Sequence, residues 1–298
     1  MALQNLTEIL NQAKVAKTKR IAVVAADDES VLLSIKSAFE LKLVNPILIG
    51  NTERIEKLSN SIQFDVSSLE ILDIDDPVKA SQMAVNLVHS NEADIIMKGL
   101  LPTSTLMRII VKRENRLIKD NLLSHFAISQ LPSYSKLLAF TDAAMNICPD
   151  LKDKVQIIKN GVKILNLLGN NRPKVAIICP LEFVNPKIES SIHAFKLKVM
   201  NQQNLIDNCI IDGPLALDNA ISYEAARHKG LISEVAGDAD LLVMPDLDAG
   251  NILYKSINFL AGGTTAAIIT GAKVPIVLTS RADNHISKLN SIALAVCF

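Results

Sequence analysis

The most constraining feature of the sequence is a regular alternation of short apolar runs with longer segments whose apolar residues recur at helical spacing. Runs such as IAVVAA at 21–26 and KVAIIC at 174–179 have the length of buried strands. Between such runs, the segment 151–168 places Val155 and Val162 on one face of a helix. Alternating strands and helices are typical of βα units, which build a mostly parallel sheet flanked by helices. The sequence therefore predicts an α/β fold.

The predicted elements run from end to end of the chain. Strands are predicted at 21–26, 46–49, 69–74, 94–97, 137–141, 174–179, 209–212, 240–244, 265–270 and 274–279. Helices are predicted at about 30–43, 77–90, 104–116, 151–168, 187–205, 218–228, 251–260 and 284–297. The N-terminal segment places Leu3, Leu6, Leu10 and Ala13 on one helical face, which predicts a packing helix and not a secretion signal.

A chain of 298 residues is long enough for two lobes. The segment ICPDLKDK at 147–154 suggests a boundary, because Asp150 can cap a long new helix. We therefore predict a first α/β domain formed by residues 1–147 and about 269–298. A second α/β domain is predicted over 148–268, with the active site in the cleft between the two lobes.

The charge balance excludes several classes of partner. Lys plus Arg and Asp plus Glu are 31 each, and aromatic residues are 4% with no Trp. Neither nucleic acid nor a membrane surface is expected as a partner of such a chain. The four cysteines show no CxxC pairing, and no run approaches the roughly 20 apolar residues of a membrane span. These features predict a cytoplasmic protein with reduced thiols.

Polar residues gather directly after the predicted strands. In open α/β sheets, ligands bind beyond the carboxyl ends of the strands. If several strand ends face one cleft, it would hold Lys98, Thr103, Asp142, Asn146, Asp246, Asn251, Ser280, Arg281 and Asp283. Mixed charges and amides of this kind suit a polar, anionic small molecule.

The segment VPIVLTSRADNH at 274–285 delivers Ser280, Arg281 and Asp283 from a predicted strand to the start of a predicted helix. Free backbone N–H groups and the helix dipole favour an anion at such a place, and a guanidinium can grip phosphate with two hydrogen bonds. Ordinary helix capping by Ser280 or Asp283, with Arg281 solvated, is the alternative.

Other charged residues admit two interpretations. Arg108 is a candidate for contact with phosphate groups, whereas the basic residues after it suit a solvated face. Lys98 follows a buried run and would face either the cleft or a carboxylate. Asn251 and Lys255 are spaced to reach the same ligand from one helix.

Several familiar motifs are missing from the sequence. It contains no GxGxxG after the first strand, no GxxxxGK[ST] and no GxSxG. The five histidines show no metal-ligand spacing, and His125 is interpreted as a core residue. Asp246 and Asp248 invite a divalent metal, but two carboxylates are weak evidence and Asp248 suits a helix cap.

Long strings of the sequence resemble the phosphate acetyl/butyryltransferase family, and they resemble its butyryltransferase branch most. The strings are MKGLLPTS, LLSHFAI, TDAAMNICPDLKDKVQIIKN, KVAIICPLEFVNPK, DGPLALDNAIS, SEVAGDADLLVMPDLDAGNILYKS and VPIVLTSRADNHISKLNSIALAV. The resemblance implies a two-lobed fold related to isocitrate and isopropylmalate dehydrogenases, in a homodimer or larger homo-oligomer. It also implies conversion of acyl-CoA and inorganic phosphate into acyl phosphate and CoA, without a covalent acyl-enzyme.

The resemblance assigns roles to individual residues. It implies that Ser280 holds the CoA thiol, that Arg281 holds phosphate and the developing oxyanion, and that Arg108 contacts CoA or phosphate. The acetyltransferase branch has an aspartate beyond its Ser-Arg pair, and counting reaches a serine here. Asp283 is the nearest substitute for the general base, and Asp142 is the alternative.

The resemblance also bears on cofactors and partners. CoA is a substrate, so no cofactor and no metal are expected. An acid kinase acting on butyrate or acetate is the implied metabolic partner. Butyryl-CoA is the expected substrate, with an acetyl-specific enzyme as the close alternative. A dehydrogenase using NAD and a metal, supported only by Asp246 and Asp248, and a catalytically silent binding module are the remaining alternatives.

Overall fold

The computed structural model describes residues 4–119, 122–279 and 283–298. Its contacts divide the chain into two compact units, each formed by separate stretches of sequence. The first unit contains residues 7–119, 266–279 and 283–298, and the second unit contains residues 4–6 and 122–265.

The strands of the described chain follow in sequence order. They are β1 (Lys19–Val24), β2 (Val44–Gly50), β3 (Glu70–Asp73), β4 (Ile95–Lys98), β5 (Ser124–Gln130), β6 (Leu138–Thr141), β7 (Lys174–Ile178), β8 (Ile210–Leu215), β9 (Leu241–Val243), β10 (Thr264–Thr270) and β11 (Ile276–Val277). Most of these strands are buried along their length, as expected for sheets covered by helices.

The helices alternate with the strands. They are α1 (Leu6–Val15), α2 (Glu29–Glu40), α3 (Thr52–Ser61), α4 (Pro77–His89), α5 (Thr103–Ile110), α6 (Leu151–Leu167), α7 (Glu189–Gln202), α8 (Leu217–Ile221), α9 (Tyr223–His228), α10 (Leu247–Phe259) and α11 (His285–Val296). Side-chain caps begin many of them; Asp150 and Asp153, for example, form a reciprocal capping box at α6. None of the helices in the described ranges has both the length and the apolar character needed to cross a bilayer.

The first unit is built on strands in the order β3-β2-β1-β4-β11-β10. All neighbouring pairs in it are parallel except β10 and β11, which pair antiparallel through Ile269 and Ile276. Helices α2 and α4 pack on β2, and α11 packs on β11 and on α2. Parallel pairing aligns the carboxyl ends of β1, β2 and β4, so the loops that follow them lie at one edge.

The second unit is built on strands in the order β5-β6-β9-β7-β8. Strands β6, β9, β7 and β8 pair in parallel, whereas β5 pairs antiparallel with β6 through Ala127 and Phe140. Helix α6 packs on β5, β6 and β9, and α7 packs on β7 and β8. The carboxyl ends of β6 and β9 therefore carry neighbouring loops.

The predicted α/β class, with mostly parallel strands flanked by helices, is confirmed. Two elements were not predicted, β5 and α3. Strand β5 was missed because SHFAISQ contains a histidine and two serines that interrupt an apolar run, although all but its last residue are buried. Helix α3 was missed because TERIEKLSNS offers few apolar residues, and only Ile55 and Ser59 are buried.

Other differences concern the ends of elements. The predicted helix over 104–116 ends at Ile110, where the Asn115 side chain donates to the carbonyl of Ile109 at 2.7 Å, and a short 3₁₀ turn follows. The predicted helix over 218–228 is two short helices, α8 and α9. In α1, Leu6 and Ala13 are buried as expected, and the predicted Leu3 lies outside the described residues.

By contacts, the long stretch of the second unit begins at residue 122, whereas the predicted domain boundary is at 147. Strands β5 and β6 belong to the second unit because β6 pairs with β9 through Ala139–Leu241 and Phe140–Leu242. The chain returns to the first unit at residue 266, close to the predicted 269. Sequence patterns mark the ends of elements, whereas this boundary depends on which strands pair.

An aspartate before a strand ties neighbouring strands together in each unit. In the first unit, Asp94 accepts hydrogen bonds from the backbone N and the guanidinium of Arg20, at 2.9 to 3.0 Å. In the second unit, Asp240 accepts from the backbone N of Lys174 at 2.9 Å and pairs with Lys136 at 2.8 Å. Both aspartates lie at the amino ends of the strands, away from the loops at their carboxyl ends.

Asp94→Asn is expected to lower the free energy of unfolding at pH 7 by about 1 kcal/mol, because the ion pair is partly exposed. The hydrogen bonds from Arg20 hold the pKa of Asp94 below its usual value in the folded protein. The carboxylate therefore stabilises the fold above its ordinary pKa of about 3.9, and this contribution is lost as pH falls through the lower folded value. Urea unfolding of both proteins between pH 7 and pH 3 measures this; a difference that grows on acidification contradicts it.

Candidate active site

Asp142, directly after β6, organises a tight turn in the second unit. Its side chain, 3% exposed, accepts hydrogen bonds from the backbone N of His125 at 3.1 Å, of Ala144 at 2.8 Å and of Met145 at 2.9 Å. The Asn146 side-chain amide donates a fourth, at 2.6 Å. A carboxylate offers about four acceptor positions, so these bonds use its capacity. Asp142 thus fixes residues 142–146 in place.

This arrangement changes the interpretation of Asp142. The sequence placed it among the substrate-binding residues and made it the alternative general base. Since its lone pairs accept hydrogen bonds from the protein, a substrate proton would have to displace one of them. Asp142 is therefore a structural carboxylate, and Asn146, bound to it and to the carbonyl of Leu123 at 2.9 Å, shares that role.

The start of α10 lies against the same turn. Gly250 is required there, because a Cβ at this position would lie 2.0 Å from the backbone oxygen of Asp142. The side-chain amide of Asn251 donates to the carbonyl of Ala143 at 3.3 Å. Asp246 caps the helix by accepting from the backbone N of Ala249 at 2.9 Å. The capping role belongs to Asp246, whereas the sequence had suggested Asp248.

Lys255 lies one turn further along α10, among aromatic rings. Its ammonium is 5.7 Å from the ring centre of Tyr254 and 5.6 Å from that of Phe259. The Tyr254 ring packs edge-on against the rings of His125, at 5.9 Å, and Phe140, at 6.2 Å. Asn251 and Lys255 thus share one helix, as predicted.

Lys98 ends β4 in the first unit and is 4% exposed. Its ammonium donates to the carbonyls of Gly99 at 3.1 Å and Leu101 at 3.2 Å, so it orders the loop that leads to α5. Gly99 allows this loop to pass over the end of β1, because a Cβ there would lie 2.0 Å from the oxygen of Ala25. The close approach of the two backbone segments therefore explains why the MKGLLPTS string has a glycine at this position.

Thr103 and Arg108 lie on α5, at its first residue and in its last turn, and both are exposed. Five residues of α-helix turn a side chain by roughly 140°, so the two point to different sides. A ligand that contacts Thr103 at the start of α5 therefore does not meet Arg108 on the same helical face.

The loop between β11 and α11 carries the Ser-Arg pair. Ser280 and Arg281 lie outside the described residues. Asp283 is 8% exposed, and its carbonyl accepts a hydrogen bond from the ammonium of Lys288. Asn284, not Asp283, caps α11 by accepting from the backbone N of Ser287 at 2.9 Å. The capping role that the sequence had offered to Asp283 therefore belongs to Asn284.

The second unit brings Asp142, Asn146 and Asn251 together around one turn. Sequence reasoning missed the importance of His125 and Tyr254, which support this turn. The backbone N of His125 donates to Asp142, its carbonyl accepts from the hydroxyl of Thr141 at 2.8 Å, and its ring contacts Tyr254. Recognising LLSHFAI as a strand would have placed His125 beside β6.

The described residues contain no cluster of three or more His, Cys, Asp or Glu side chains arranged to hold a metal ion. The cysteines divide by burial. Burial raises the pKa of Cys209 to about 12 and that of Cys297 to about 11, and it also raises the pKa of Cys179. These thiols remain protonated at neutral pH. Cys148 is exposed.

Charged and amide side chains after the strand ends of an α/β fold suit the binding of small anionic molecules. The chain belongs to the phosphate acetyl/butyryltransferase family: the family model described as phosphate acetyl/butaryl transferase matches residues 5–82 and 76–296. It is accordingly an acyltransferase, and the resemblance read from the sequence is confirmed.

Individual relatives agree with this assignment. The chain is 43% identical to a phosphate butyryltransferase of Clostridium beijerinckii over 98% of this chain and 97% of the relative. It is 39% identical to a phosphate acetyltransferase of Thermotoga maritima over the full length of both chains. A branched-chain phosphotransacylase of Enterococcus faecalis has a similar structure, with a TM-score of 0.83 and 32% identity over 94% of this chain and 98% of the other.

A more distant structure bears only on the fold. A 4-hydroxythreonine-4-phosphate dehydrogenase of Burkholderia phymatum matches with a TM-score of 0.54 and 16% identity, over 93% of this chain and 98% of the other. The expected relation to a dehydrogenase-like fold is therefore supported. The dehydrogenase activity considered in the sequence is not favoured, since the matched family and the relatives are acyltransferases.

Proposed function

We propose that this protein transfers a short acyl group, preferably butyryl, between CoA and inorganic phosphate. The observation that carries the proposal is the 43% identity over nearly the whole chain to a phosphate butyryltransferase, against 39% to a phosphate acetyltransferase. Acetyl transfer is the second candidate, supported by the latter relative. Transfer is direct, within a complex that holds both substrates.

The reaction forms one bond and breaks one. An oxygen of phosphate attacks the thioester carbonyl carbon, the carbonyl oxygen gains negative charge, and the carbon–sulfur bond then breaks. CoA leaves as a thiolate and takes up a proton. In the opposite direction the thiol loses that proton before it attacks acyl phosphate. A thiol of this kind has a pKa of about 8.5, so a nearby base raises the reactive fraction.

The loop after β11 supplies the reacting groups in this proposal. Arg281 holds phosphate and the developing oxyanion, and Ser280 donates to the thiolate sulfur. Asp283 is the general base for the thiol. Two observations support this role. Asp283 is buried and does not cap α11. It also lies only two residues after Arg281 in the sequence. Asp142, the earlier alternative, is committed to its turn.

The remaining candidate residues either contact the substrates or shape the loops around them. Arg108 is exposed on α5 and suits contact with the phosphates of CoA. Thr103, on a different side of the same helix, is a separate candidate for substrate contact. Lys98 orders the loop before α5, while Asn146 and Asn251 shape the turn that follows β6. Lys255 adds positive charge on α10. CoA is a substrate, so the reaction needs no bound cofactor.

Assembly and metabolic context complete the proposal. A homodimer or larger homo-oligomer is expected from the family resemblance. Acyl phosphate is a mixed anhydride, and a kinase for short-chain acids is the expected enzyme to use it.

A panel of acyl-CoA substrates tests the proposed function. Thiol release from acetyl-, propionyl-, butyryl- and isobutyryl-CoA is followed with and without inorganic phosphate. The expected result is phosphate-dependent release with the highest kcat/KM for butyryl-CoA. Highest kcat/KM for acetyl-CoA would replace the butyryl assignment by the acetyl one, and background rates with all four substrates would refute transferase activity.

A further inference from the structure

Lys288 is a cation in an unfavourable place. It lies four residues after the cap of α11, is 3% exposed, and stands at the end of the helix where the dipole is positive. A positive charge in the first turn of a helix opposes the dipole, and burying an ammonium costs further free energy. Residues that break local stability rules in this way are expected at functional sites.

The hydrogen bond of Lys288 is made to the loop that carries Asp283. In the part of the chain that the structure describes, the ammonium has one hydrogen-bond acceptor, the carbonyl oxygen of Asp283. Burial lowers the pKa of Lys288, while the charges of Asp283 and Asp28 act in the opposite direction. Asp28 caps α2, which packs on α11. The two carboxylates thus favour the charged amine.

The hydrogen bond links the first turns of α11 to the residue before its cap. Asn284 and Ser287 already close the helix start without help from the lysine. An apolar side chain of similar length would fill the same buried space without the cost of an ammonium. The contribution particular to Lys288 is therefore that it restrains Asp283, on the C-terminal side of Ser280 and Arg281.

We propose that Lys288 is a positioning residue for the acyl-transfer reaction, holding Asp283 at the place from which it acts on the thiol. This inference rests on the proposed function. It concerns Asp283, which precedes the cap of α11, and does not require Lys288 to touch either substrate. Loss of the restraint lowers kcat, because misplacing a reacting group by about 1 Å can cost about 10²-fold in rate.

Lys288→Met is the main test, because methionine keeps the length of the side chain without its charge. We expect kcat to fall by about 10²-fold, with little change in KM for acyl-CoA and no loss of thermal stability. Lys288→Arg keeps the charge and is expected to recover part of the rate. Lys154→Met is the matched control: Lys154 is also buried, at 4% exposed, contacts His193 at 3.3 Å, and has a pKa lowered by burial.

A double-mutant cycle with Asp283→Asn separates positioning from general damage. If Lys288 acts through Asp283, the double variant is no slower than Asp283→Asn alone. Additive losses, or a Lys288→Met enzyme with wild-type kcat, would overturn the proposal. An equal fall of kcat in Lys154→Met would also overturn the proposal, since the loss of any buried lysine would then lower the rate.

Hydrogen exchange distinguishes failure of this inference from failure of the proposed function. Backbone amides of residues 283–287 are expected to exchange faster in Lys288→Met than in the wild-type protein. Unchanged exchange overturns the positioning role whatever the activity. A wild-type protein that is inactive with every acyl-CoA, together with faster exchange in the variant, refutes the transferase and retains the restraint on Asp283.

Discussion

Replacing Arg281 with alanine is expected to lower kcat for acyl transfer by about 10²- to 10³-fold, the usual cost of removing one stabiliser of a developing oxyanion. The guanidinium is expected to bind phosphate in the ground state as well, so KM for phosphate should rise. Arg281→Lys keeps the charge but loses the planar pair of donors, and an intermediate rate is expected. Initial rates at varied phosphate and butyryl-CoA concentrations measure both effects.

Arg227→Ala is the control for this experiment, because Arg227 is exposed in the last turn of α9 and has no place in the proposed mechanism. Its rate should equal that of the wild-type protein. Arg281→Ala with an unchanged kcat and an unchanged KM for phosphate would remove the basis of the proposed chemistry. A protein that retains ligand binding and never shows turnover would instead fit the silent binding module.

Asp142→Ala is expected to lower both stability and activity. Three backbone N–H groups and the Asn146 amide lose their acceptor in a buried site. Unsatisfied buried donors cost about 1 to 3 kcal/mol each, so a loss of roughly 3 kcal/mol or more is expected in the free energy of unfolding. The turn over 142–146 would then lose its fixed geometry, and the rate should fall by about 10²-fold.

Asp142→Asn gives an intermediate case, because one oxygen remains as an acceptor while the amide N–H₂ faces backbone donors. Asp248→Ala is the control: Asp248 is an exposed carboxylate in the first turn of α10, and its removal should cost less than about 1 kcal/mol. Denaturant unfolding and steady-state rates are measured on the same preparations. Equal stabilities of wild type and Asp142→Ala would contradict the structural role given to this carboxylate.

Much of the fold was accessible from the sequence because hydrophobic periodicity is a local property. The apolar runs at 21–26 and 174–179 became β1 and β7 with shifts of one or two residues, and Asp150 caps α6 as expected. Strand β5 was not accessible in this way. Its serines and histidine are buried because β6 and Tyr254 lie beside them. The local pattern of apolar and polar residues contains no information about these neighbours.

The candidate site also has features that could be predicted from the sequence and features that could not. Strand-end position drew attention to Asp142, Asn146 and Asn251, which one turn brings together. It did not show that the lone pairs of Asp142 are occupied, that Asp246 is a cap, or that Lys288 contacts the carbonyl of Asp283. Each of these depends on groups that approach through packing, and spacing along the chain contains no measure of that approach.

Residue order and periodicity were sufficient to predict the α/β class, most helices and strands, and the family resemblance. Which polar groups hold loops in place became known from the packing of the folded chain. The physical reason is that a lone pair or N–H group engaged within the fold reaches a substrate only if its existing hydrogen bond is broken or shared. To determine which groups are engaged, one needs the positions of the neighbouring strands and helices in three dimensions.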